Sequence, residues 1–519
     1  MIERSDAIVI GAGHNGLVCA AYLARAGSNV LCFEATGAAG GMSAPHTLGE
    51  HYRFPGLAHV AYPVGASIRQ DLDLDRFGYA PGPAADTVAL AGDRRHLVIG
   101  RDGVSGPGLP EADAAAYRQF RGRYLAFAAA LRPIFENKPP RLKDMDFRDK
   151  TNLAKLGWKL RFGLGREAMY EFLRVAAINI YDVLNDTFDD ERLKGAIAAD
   201  AVLGSAMGPR TPGTVLTWLQ RLYGELEGPL ALQTDDESQL VNALRQSAED
   251  AGVTIRLDAP VERVLVDDGR ATGVRLSNGE TFEAATVISN ADPRTTFLDL
   301  VGAPLLDTMF ANRVTQIRGA GVVAKLYLAL NGKPDFPELP DAQLGQRLLV
   351  APSMKYVEHA FNHSKYRKYS ERPVLDIVIP SLHNPALAPD GHHVMSVNVA
   401  FAPYALEGGW EPQKEAFADR VVSLLGEYCD NLDSLIAKRE LLTPRDIERR
   451  FGVAQGHWHH GDLGIHQSFM MRPVHGAAQY DTPVQGLFLC GAGCHPGGGL
   501  TGLPGRNAAK RVLEVGGAV

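Results

Sequence analysis

Three glycines near the start of the chain have the spacing of a loop that binds a dinucleotide. Gly11, Gly13 and Gly16 form a G-x-G-x-x-G motif directly after the short apolar run at residues 6–10. The first glycine permits a tight turn, the second lets a pyrophosphate approach the backbone, and the third lets a helix pack closely against the strand. That helix offers free N–H groups and the positive end of its dipole to phosphate. The motif therefore predicts a strand, a turn and a helix that hold a pyrophosphate.

An acidic residue about twenty positions further on supports the same interpretation. Residues 29–34 form a second apolar run, and Glu34 ends it. A carboxylate at this point accepts hydrogen bonds from both hydroxyls of a ribose and disfavours a 2′-phosphate. The order of strand, glycine loop, helix, strand and acid is much more specific than the glycine spacing by itself.

A second glycine pair decides between the dinucleotides. Gly40 and Gly41 follow Glu34 within one loop, and a nicotinamide cofactor has no evident need of another glycine turn there. The loop resembles the extended signature of FAD enzymes of the glutathione-reductase and amine-oxidase type, in which it runs beside the pyrophosphate and the flavin ring. The sequence therefore predicts FAD.

Composition excludes several other classes of protein. The chain has 519 residues, of which 45% are hydrophobic and 22% charged, and this predicts a globular protein of two intertwined domains. A net charge of −7 argues against nucleic acid as a partner. Five scattered cysteines fit a reducing compartment. The first strand begins too early for a signal peptide, and no apolar run is long enough to span a bilayer, so we expect a cytoplasmic protein.

The first half of the chain contains a long helical region that is predicted to cap a substrate cavity. Its helix candidates are residues 111–137, 167–180, 188–203 and 212–226. Within residues 138–174, ten Lys and Arg outnumber five Asp and Glu, and apolar residues are interleaved. This pattern is found in helices that lie on an anionic membrane, and also in solvated helices and subunit contacts. These three interpretations are open, and a homodimer is compatible with a subunit contact.

The second half of the chain is predicted to return to the nucleotide-binding domain and then to form a sheet. Asp268-Gly269 and Asn278-Gly279 are hairpin turns between apolar runs. Residues 285–292 form a buried strand that ends in a polar loop. Alternating runs at residues 322–330, 374–379 and 394–399 predict an antiparallel sheet of the kind that forms the floor of a substrate domain.

Histidines and glycines are concentrated near the C-terminus. His457, His459 and His460 fall within four positions, but no cysteine or acid with the spacing of a metal ligand lies close by, so we expect no metal. An apolar strand at residues 486–490 then leads through a glycine-rich loop into a helix. We expect the N-terminus of this helix to point at the flavin edge that becomes anionic on reduction.

Several stretches together resemble one family. They are the opening motif, residues 186–213, His460 to Leu463, and Arg472 to Ala509. They resemble the phytoene desaturase and carotenoid isomerase-like flavoproteins, most closely the branch named for a pyridine-nucleotide-disulfide oxidoreductase domain. The resemblance covers essentially the whole chain, and it is specific for FAD but not for a substrate.

The resemblance implies a fold and a set of FAD contacts. The fold is α/β, with a Rossmann-type FAD-binding domain (residues 1–75, 230–300 and 465–519), a helical cap (residues 76–229) and an antiparallel-sheet substrate domain (residues 301–464). Residues 43–66, with His59 and Tyr62 among them, are expected near the flavin. The expected FAD contacts are Gly11, Gly13, His14, Asn15, Gly16, Glu34, Ala35, Gly40, Gly41, Met42, Val261, Asn290, Gly491, Ala492, Gly499, Thr501 and Gly502.

The chain also departs from the family. Met42 stands where carotenoid desaturases usually carry Arg, and Cys494 stands where Thr is common. Cys490 and Cys494 are spaced as C-x-x-x-C, which differs from the C-x-x-C of a redox dithiol, so disulfide reduction is not expected. Cys494 is either a buried, inert thiol or a residue that touches or attaches to the flavin.

A single complete dinucleotide fingerprint implies that electrons pass between a substrate and an acceptor other than NAD(P)H. We expect a dehydrogenase or oxidase that moves a hydride from a C–H bond of a hydrophobic organic molecule to flavin N5, with oxygen or a quinone as reoxidant. A flavin-dependent isomerase and a non-catalytic flavoprotein are the alternatives. Candidate bases are His457, His459, His460 and His495, together with Lys325, since related amine oxidases present a lysine to flavin N5 through a water.

Overall fold

Two β-sheets of different kinds carry the fold. The structure is a computed structural model that describes residues 3–141, 145, 147–235 and 238–516. Its strands are, in chain order, β1 (Glu3–Ile10), β2 (Val30–Phe33), β3 (His46–Leu48), β4 (Tyr52–Phe54), β5 (Val60–Ala61), β6 (Thr87–Ala89), β7 (Leu97–Ile99), β8 (Val104–Ser105), β9 (Ala231–Leu232), β10 (Thr254–Arg256), β11 (Val261–Asp267), β12 (Arg270–Leu276), β13 (Thr281–Ser289), β14 (Val323–Leu330), β15 (Arg347–Val350), β16 (Leu375–Val378), β17 (His393–Ala400), β18 (Ile436–Leu442) and β19 (Leu487–Leu489).

Helices cover both sheets and form the region between them. They are α1 (His14–Arg25), α2 (Ala66–Asp71), α3 (Glu111–Phe135), α4 (Phe147–Trp158), α5 (Arg166–Val175), α6 (Ile180–Asn185), α7 (Glu191–Ala201), α8 (Thr214–Glu225), α9 (Gln239–Asp250), α10 (Thr308–Thr315), α11 (Asp341–Leu344), α12 (Met354–Lys365), α13 (Lys414–Gly426), α14 (Leu432–Leu435), α15 (Pro444–Phe451) and α16 (Leu503–Gly516). Two π-helical segments, Lys159–Gly163 and Thr295–Gly302, add to these. No helix in the described ranges is both long enough and apolar enough to cross a membrane.

The first sheet brings the two ends of the chain together. Its order is β10-β2-β1-β13-β12-β11, and β19 also pairs with β13. The contacts of β1 with β2 and β13, of β2 with β10, and of β13 with β19 are parallel. Parallel strands all present their carboxyl ends at one edge of the sheet, where ligands bind in open α/β folds. The loops after β1, β2, β13 and β19 therefore meet at that edge.

The second sheet is mostly antiparallel. Its order is β18-β14-β17-β16-β15-β6-β7-β8, and every neighbouring pair is antiparallel except β15 with β6. Strand β14 is buried along its whole length, so its alternating sequence does not mark a solvent-facing side. Strands β6–β8 join this sheet although they come from residues 76–229, the range assigned to a helical cap.

Local sequence signals predicted several element boundaries well. The hairpin turns at Asp268-Gly269 and Asn278-Gly279 connect β11, β12 and β13 as expected. Thr443 caps α15 with a reciprocal capping box to Asp446. Helix α8, however, begins at Thr214 and not at Pro212. The reason is local, because the Thr211 side chain accepts a hydrogen bond from the Gly208 N–H and thereby closes the turn that precedes the helix.

Candidate active site

The glycine loop after β1 is shaped by close backbone contacts. The Gly11 N–H donates to the Phe33 carbonyl oxygen at 2.7 Å, which ties the loop to β2. A Cβ at Gly16 would lie 2.1 Å from the Gly11 carbonyl oxygen, well inside contact distance. A Cβ at Gly13 would lie 2.8 Å from the Nδ2 of Asn290. No larger side chain fits at Gly16 unless α1 moves away from β1, so the helix N-terminus stays at the sheet edge.

The second glycine loop is held against the first. Gly40 has a φ of +118°, which residues with a side chain rarely adopt, and its N–H donates to the Ala12 carbonyl oxygen at 2.9 Å. Glu34 connects the two loops, because its Oε2 accepts a hydrogen bond from the Ala12 N–H at 2.9 Å. Its Oε1 accepts from the Thr36 N–H and hydroxyl. Oε2 therefore keeps acceptor capacity for a further partner.

The C-terminal loop closes the site from the other side. Strand β19 pairs with β13, and the loop after it leads into α16. The His14 ring contacts the Gly499 carbonyl oxygen at 3.1 Å, so the N-terminal and C-terminal loops touch. Burial lowers the pKa of His14 to about 4, and the imidazole is therefore neutral near pH 7.

These loops surround a cavity of about 440 Å³. The expected FAD contacts that line it are Gly11, Gly13, His14, Asn15, Glu34, Ala35, Gly40, Gly41, Met42, Val261, Asn290, Ala492, Gly499 and Thr501. Gly16, Gly491 and Gly502 are not among its lining residues, and they shape the backbone behind it. A Cβ at Gly491, for example, would lie 2.6 Å from the Asn290 carbonyl oxygen.

The cavity continues beyond the glycine loops to a wall that combines residues of the segment 43–66, expected near the flavin, with others that the sequence did not single out. Helices α7 and α8 contribute Asp200 and Arg221, and β17 contributes Asn398. His59 and Tyr62 come from the loop around β5. These residues lie far apart in the sequence, and nothing in their local pattern marks them as parts of one site.

The four candidate histidines separate into two pairs. His459 and His460 line the cavity, whereas His457 and His495 do not. Burial lowers the pKa of His459 to about 4 and also lowers the pKa of His460, so both rings are neutral near pH 7. In each ring, Nδ1 has no hydrogen-bond partner among the described residues.

His457 and His495 are buried side chains of the surrounding structure. Burial lowers the pKa of His457 well below its usual range and that of His495 to about 4. The His495 Nε2 contacts the Ile134 carbonyl oxygen at 2.8 Å, which ties the C-terminal loop to α3. No group of three His, Cys, Asp or Glu side chains in the described part of the chain has the arrangement of a metal site.

Lys325 is fully buried behind the cavity wall and does not line the cavity. Its Nζ contacts the Leu57 carbonyl oxygen at 3.0 Å, the Asn398 Oδ1 at 2.8 Å and the His59 Nδ1 at 3.1 Å. Burial lowers the pKa of Lys325 well below its usual range. Any contribution of Lys325 to chemistry in the cavity therefore passes through His59 or Asn398.

A chain of ion pairs continues from this point to Asp200 and Arg221 in the cavity wall. Arg347 is fully buried and donates to both carboxylate oxygens of Asp376, at 3.0 and 3.2 Å. Burial by itself would raise the pKa of Asp376, but the Arg347 guanidinium outweighs burial and holds the pKa well below its usual range. Arg347 Nη1 also lies 2.8 Å from Asp200, whose Oδ1 is 3.2 Å from Arg221 Nη2.

Comparison with known proteins identifies the family. The model of the flavin containing amine oxidoreductases matches residues 16–513. The chain belongs to this family. It is 32% identical to pyridine nucleotide-disulfide oxidoreductase domain-containing protein 2 of Rattus norvegicus, over 98% of this chain and 93% of that protein. It is 27% identical to the zeta-carotene-forming phytoene desaturase of Myxococcus xanthus, over 96% and 90% of the two chains.

A solved oxidase has the same fold. Cyclohexylamine oxidase from Brevibacterium oxydans superposes with a TM-score of 0.57 at 16% identity, over 98% of each chain. The resemblance to phytoene desaturases and the α/β fold class are thereby confirmed. Family and fold together make this chain an FAD-dependent oxidoreductase.

The residues of the cavity fit FAD. Asn15 lies at the start of α1, and its buried Oδ1 has no hydrogen-bond partner within the described ranges. The two glycine loops leave backbone room for a pyrophosphate, and Glu34 retains acceptors for a ribose. The first residues of α1 line the cavity, and so does Thr501, two positions before α16 begins. These groups would hold FAD, which supplies a hydride acceptor when bound.

The two C-terminal cysteines are not part of this lining. Cys490 and Cys494 are both buried and free, and neither lines the cavity. Burial raises the pKa of Cys494 to about 12 and that of Cys490 well above its usual range, so both are thiols and not thiolates at neutral pH. The structure therefore supports the inert interpretation of Cys494.

Replacing Gly13 with valine should abolish FAD retention, because its side chain would enter the phosphate loop and meet Asn290. Flavin absorbance per mole of purified protein measures the effect. Glu34→Gln should lower FAD affinity only about tenfold, since hydrogen bonds weaken while backbone room is kept. The control is Gly122→Ala, because Gly122 has no neighbouring atom within 4 Å of its Cβ position. A Gly13→Val protein that stays fully yellow would mean that the phosphate site lies elsewhere.

Acid should destabilise the fold between about pH 6.5 and pH 4. Burial lowers the pKa of His14, His59, His459 and His495 to about 4 in the folded chain, whereas an unfolded histidine titrates near 6.5. The unfolded state therefore binds more protons in this window, and stability is lost as the pH falls through it. Thermal unfolding midpoints at pH 8, 6.5, 5 and 4 measure this loss.

His495→Gln should flatten that dependence of the midpoint on pH, since it removes one buried imidazole. His51→Gln is the matched control, because the His51 side chain is exposed and should leave the slope unchanged. A midpoint that stays constant from pH 6.5 to pH 4 would contradict the prediction.

Proposed function

We propose that this chain oxidises an organic substrate by removing a hydride from one of its C–H bonds. The observation that supports this most directly is the cavity itself, which runs on from the glycine loops to a wall built by α7, α8 and β17. A flavoprotein that served only as a binding partner would need no such chamber. Apolar residues such as Leu203, Leu230 and Leu463 line much of it, which favours a substrate with a hydrophobic body.

His460 is our proposal for the residue that accepts a proton from the substrate. It lines the cavity, its Nδ1 is unpartnered among the described residues, and its ring is neutral. It also has a φ of +54°, an uncommon conformation for a residue with a side chain. Strained backbone of this kind is often found where a side chain must be aimed at a ligand. His459 is the second candidate, because it shares the first two properties.

Oxygen or a quinone is the proposed reoxidant. A single dinucleotide fingerprint occurs in the sequence, at Gly11 to Gly16, and it belongs to the FAD site. Relatives described as a desaturase and as an oxidase share the fold, and both names are compatible with electrons leaving the site. A flavin-dependent isomerase of a polyene remains the alternative, in which no net electrons leave.

Anaerobic mixing distinguishes these reactions. Purified holoprotein is mixed without oxygen with a polyene such as phytoene or a cyclic amine such as cyclohexylamine, and the flavin band is followed. Bleaching by one of them, with recovery on admission of oxygen or a quinone, is the expected result. Substrate conversion without lasting bleaching would indicate isomerisation.

The proposed base can be tested in the same experiment. His460→Gln should slow bleaching by about 10² or more, the usual contribution of a positioned base. His495→Gln should leave the rate nearly unchanged, because that ring is buried and lies outside the cavity lining. Equal rates for the two variants would remove His460 from this role.

A further inference from the structure

One charged pair interrupts the cavity wall opposite the glycine loops. Asp200 at the end of α7 and Arg221 on α8 lie 3.2 Å apart, and both line the cavity. Their side chains are 22% and 14% exposed. Charged groups are rarely placed in an enclosed wall without a partner or a ligand, because desolvation of a charge is costly.

The carboxylate of this pair is shared, which leaves the guanidinium of Arg221 incompletely satisfied. Arg347 Nη1 lies 2.8 Å from Asp200, so two arginines compete for one carboxylate. Arg347 has a second carboxylate in Asp376, but no other ion pair of Arg221 is found in the described residues. The Nε and Nη2 of Arg221 are buried and make no hydrogen bond there.

The surroundings hold Arg221 in place and keep it charged. Its guanidinium carbon lies 5.5 Å from the centre of the Tyr62 ring, within range of a cation–π contact. Burial by itself would lower the pKa of Arg221, but Asp200 outweighs burial and raises it. A planar, permanently charged fork with unused donors matches a carboxylate better than any other common group.

We propose that Arg221 binds a carboxylate at one end of an otherwise apolar substrate. This inference rests on the proposed function, because it assigns the substrate class of the same cavity. The apolar part of the lining would contact the hydrocarbon body, and Arg221 would fix the orientation of the acid end. Asp200, Tyr62 and Arg347 position Arg221.

Binding of simple probes to the holoprotein tests this assignment without turnover. Decanoate and decan-1-ol are titrated separately, and each dissociation constant is measured from the change in the flavin spectrum. Decanoate should bind at least tenfold more tightly than decan-1-ol. Arg221→Met should weaken decanoate binding by about 30-fold or more and leave decan-1-ol binding within twofold, while Arg221→Lys should be intermediate.

Arg121→Met is the matched control, because Arg121 is 12% exposed, is ion-paired to Glu225 and does not line the cavity. Equal binding of the two probes to the wild-type protein would overturn the assignment even if Arg221→Met failed to fold. Loss of FAD from Arg221→Met would also overturn it, since Arg221 would then hold the cofactor. A protein that binds decanoate but never bleaches would contradict the proposed function alone.

A separate surface carries an independent inference. Large apolar side chains are exposed along α4, the π-helical segment at 159–163 and α5. We call the patch that these side chains form the aromatic surface. It consists of Phe147 (84% exposed), Trp158 (66%), Phe162 (60%), Tyr170 (56%) and Leu173 (61%). Trp158 and Phe162 pack together with ring centroids 4.3 Å apart, so part of this surface is pre-arranged.

Cations surround the aromatic surface. They are Lys150, Lys155, Lys159, Arg161 and Arg166, all exposed and none with an ion pair in the described residues. Residues 147–175 hold seven Lys or Arg and three Asp or Glu, although the whole chain has a net charge of −7. A two-fold contact between copies would bring two positive surfaces together, which argues against a second copy as the occupant.

We propose that the aromatic surface docks on an anionic phospholipid bilayer. Exposed Trp, Tyr and Phe rings insert at the headgroup level, and the lysines and arginines around them are attracted to acidic lipids. The enzyme would thereby stay close to apolar substrates that dissolve in a membrane.

Sedimentation with vesicles tests this docking. The holoprotein is mixed with phosphatidylcholine vesicles that contain or lack 30% phosphatidylserine, at 0.1 and 0.5 M NaCl. Binding is expected only to the anionic vesicles, and it should be weaker at high salt. Lys155→Gln with Lys159→Gln should weaken binding about 25-fold, at roughly fivefold per positive charge removed. Trp158→Ala with Phe162→Ala should also weaken it, whereas the control Tyr366→Ala, 74% exposed elsewhere, should not.

Equal binding to both vesicle types, or binding to neither, would overturn the proposal. So would a wild-type dimer, measured by light scattering, that becomes a monomer in the Trp158→Ala, Phe162→Ala variant, because the surface would then be a contact between copies.

Discussion

The active site depends on the parallel pairing of β13 with both β1 and β19. That pairing places the first and last loops of a chain of 519 residues at one sheet edge. Within the first loop the backbone is packed so closely that a Cβ at Gly16 would lie 2.1 Å from the Gly11 carbonyl oxygen. A dinucleotide site needs both features, since the helix N-termini must converge and the backbone must be accessible to phosphate. The rest of the molecule is built outward from this edge.

The chemical character of the cavity follows from burial. Desolvation keeps His14, His59, His459 and His460 neutral, so the cavity holds imidazoles that can accept a proton at physiological pH. Beyond the glycine loops, Arg347, Asp376, Asp200 and Arg221 form a network in which carboxylates and guanidinium groups compensate one another. Such networks are costly to bury unless their geometry is good, and they fix the relative positions of the elements that carry them.

The cavity wall beyond the glycine loops is built from segments that lie far apart in the sequence. Helix α7, helix α8 and strand β17 each add a polar group to the same wall, and the second sheet supports them from behind with Lys325 and Arg347. An apolar chamber with one charged end would select for an amphipathic molecule. The aromatic surface on α4 and α5 lies outside this chamber and would act on the location of the protein, not on its chemistry.

Short-range signals in the sequence predicted the glycine loops that line the cavity, because the requirements of these loops are local. The glycine spacing, the acid at Glu34, the second loop at Gly40 and the hairpin turns all depend on residues a few positions apart, whose φ angles and sizes are dictated by backbone sterics. Helix α8 begins two residues later than predicted, because the Thr211 side chain closes the preceding turn.

The sequence by itself determined the cofactor, the class of fold and the residues that shape the phosphate loops. Only the tertiary structure decided which histidines line the cavity, that Lys325 lies behind His59, and that Asp200 and Arg221 meet in the wall. These facts depend on contacts between residues tens or hundreds of positions apart, and on a degree of burial that no local pattern records. The physical reason is that side-chain chemistry is set by the surroundings in space, whereas glycine and capping signals are set by neighbours along the chain.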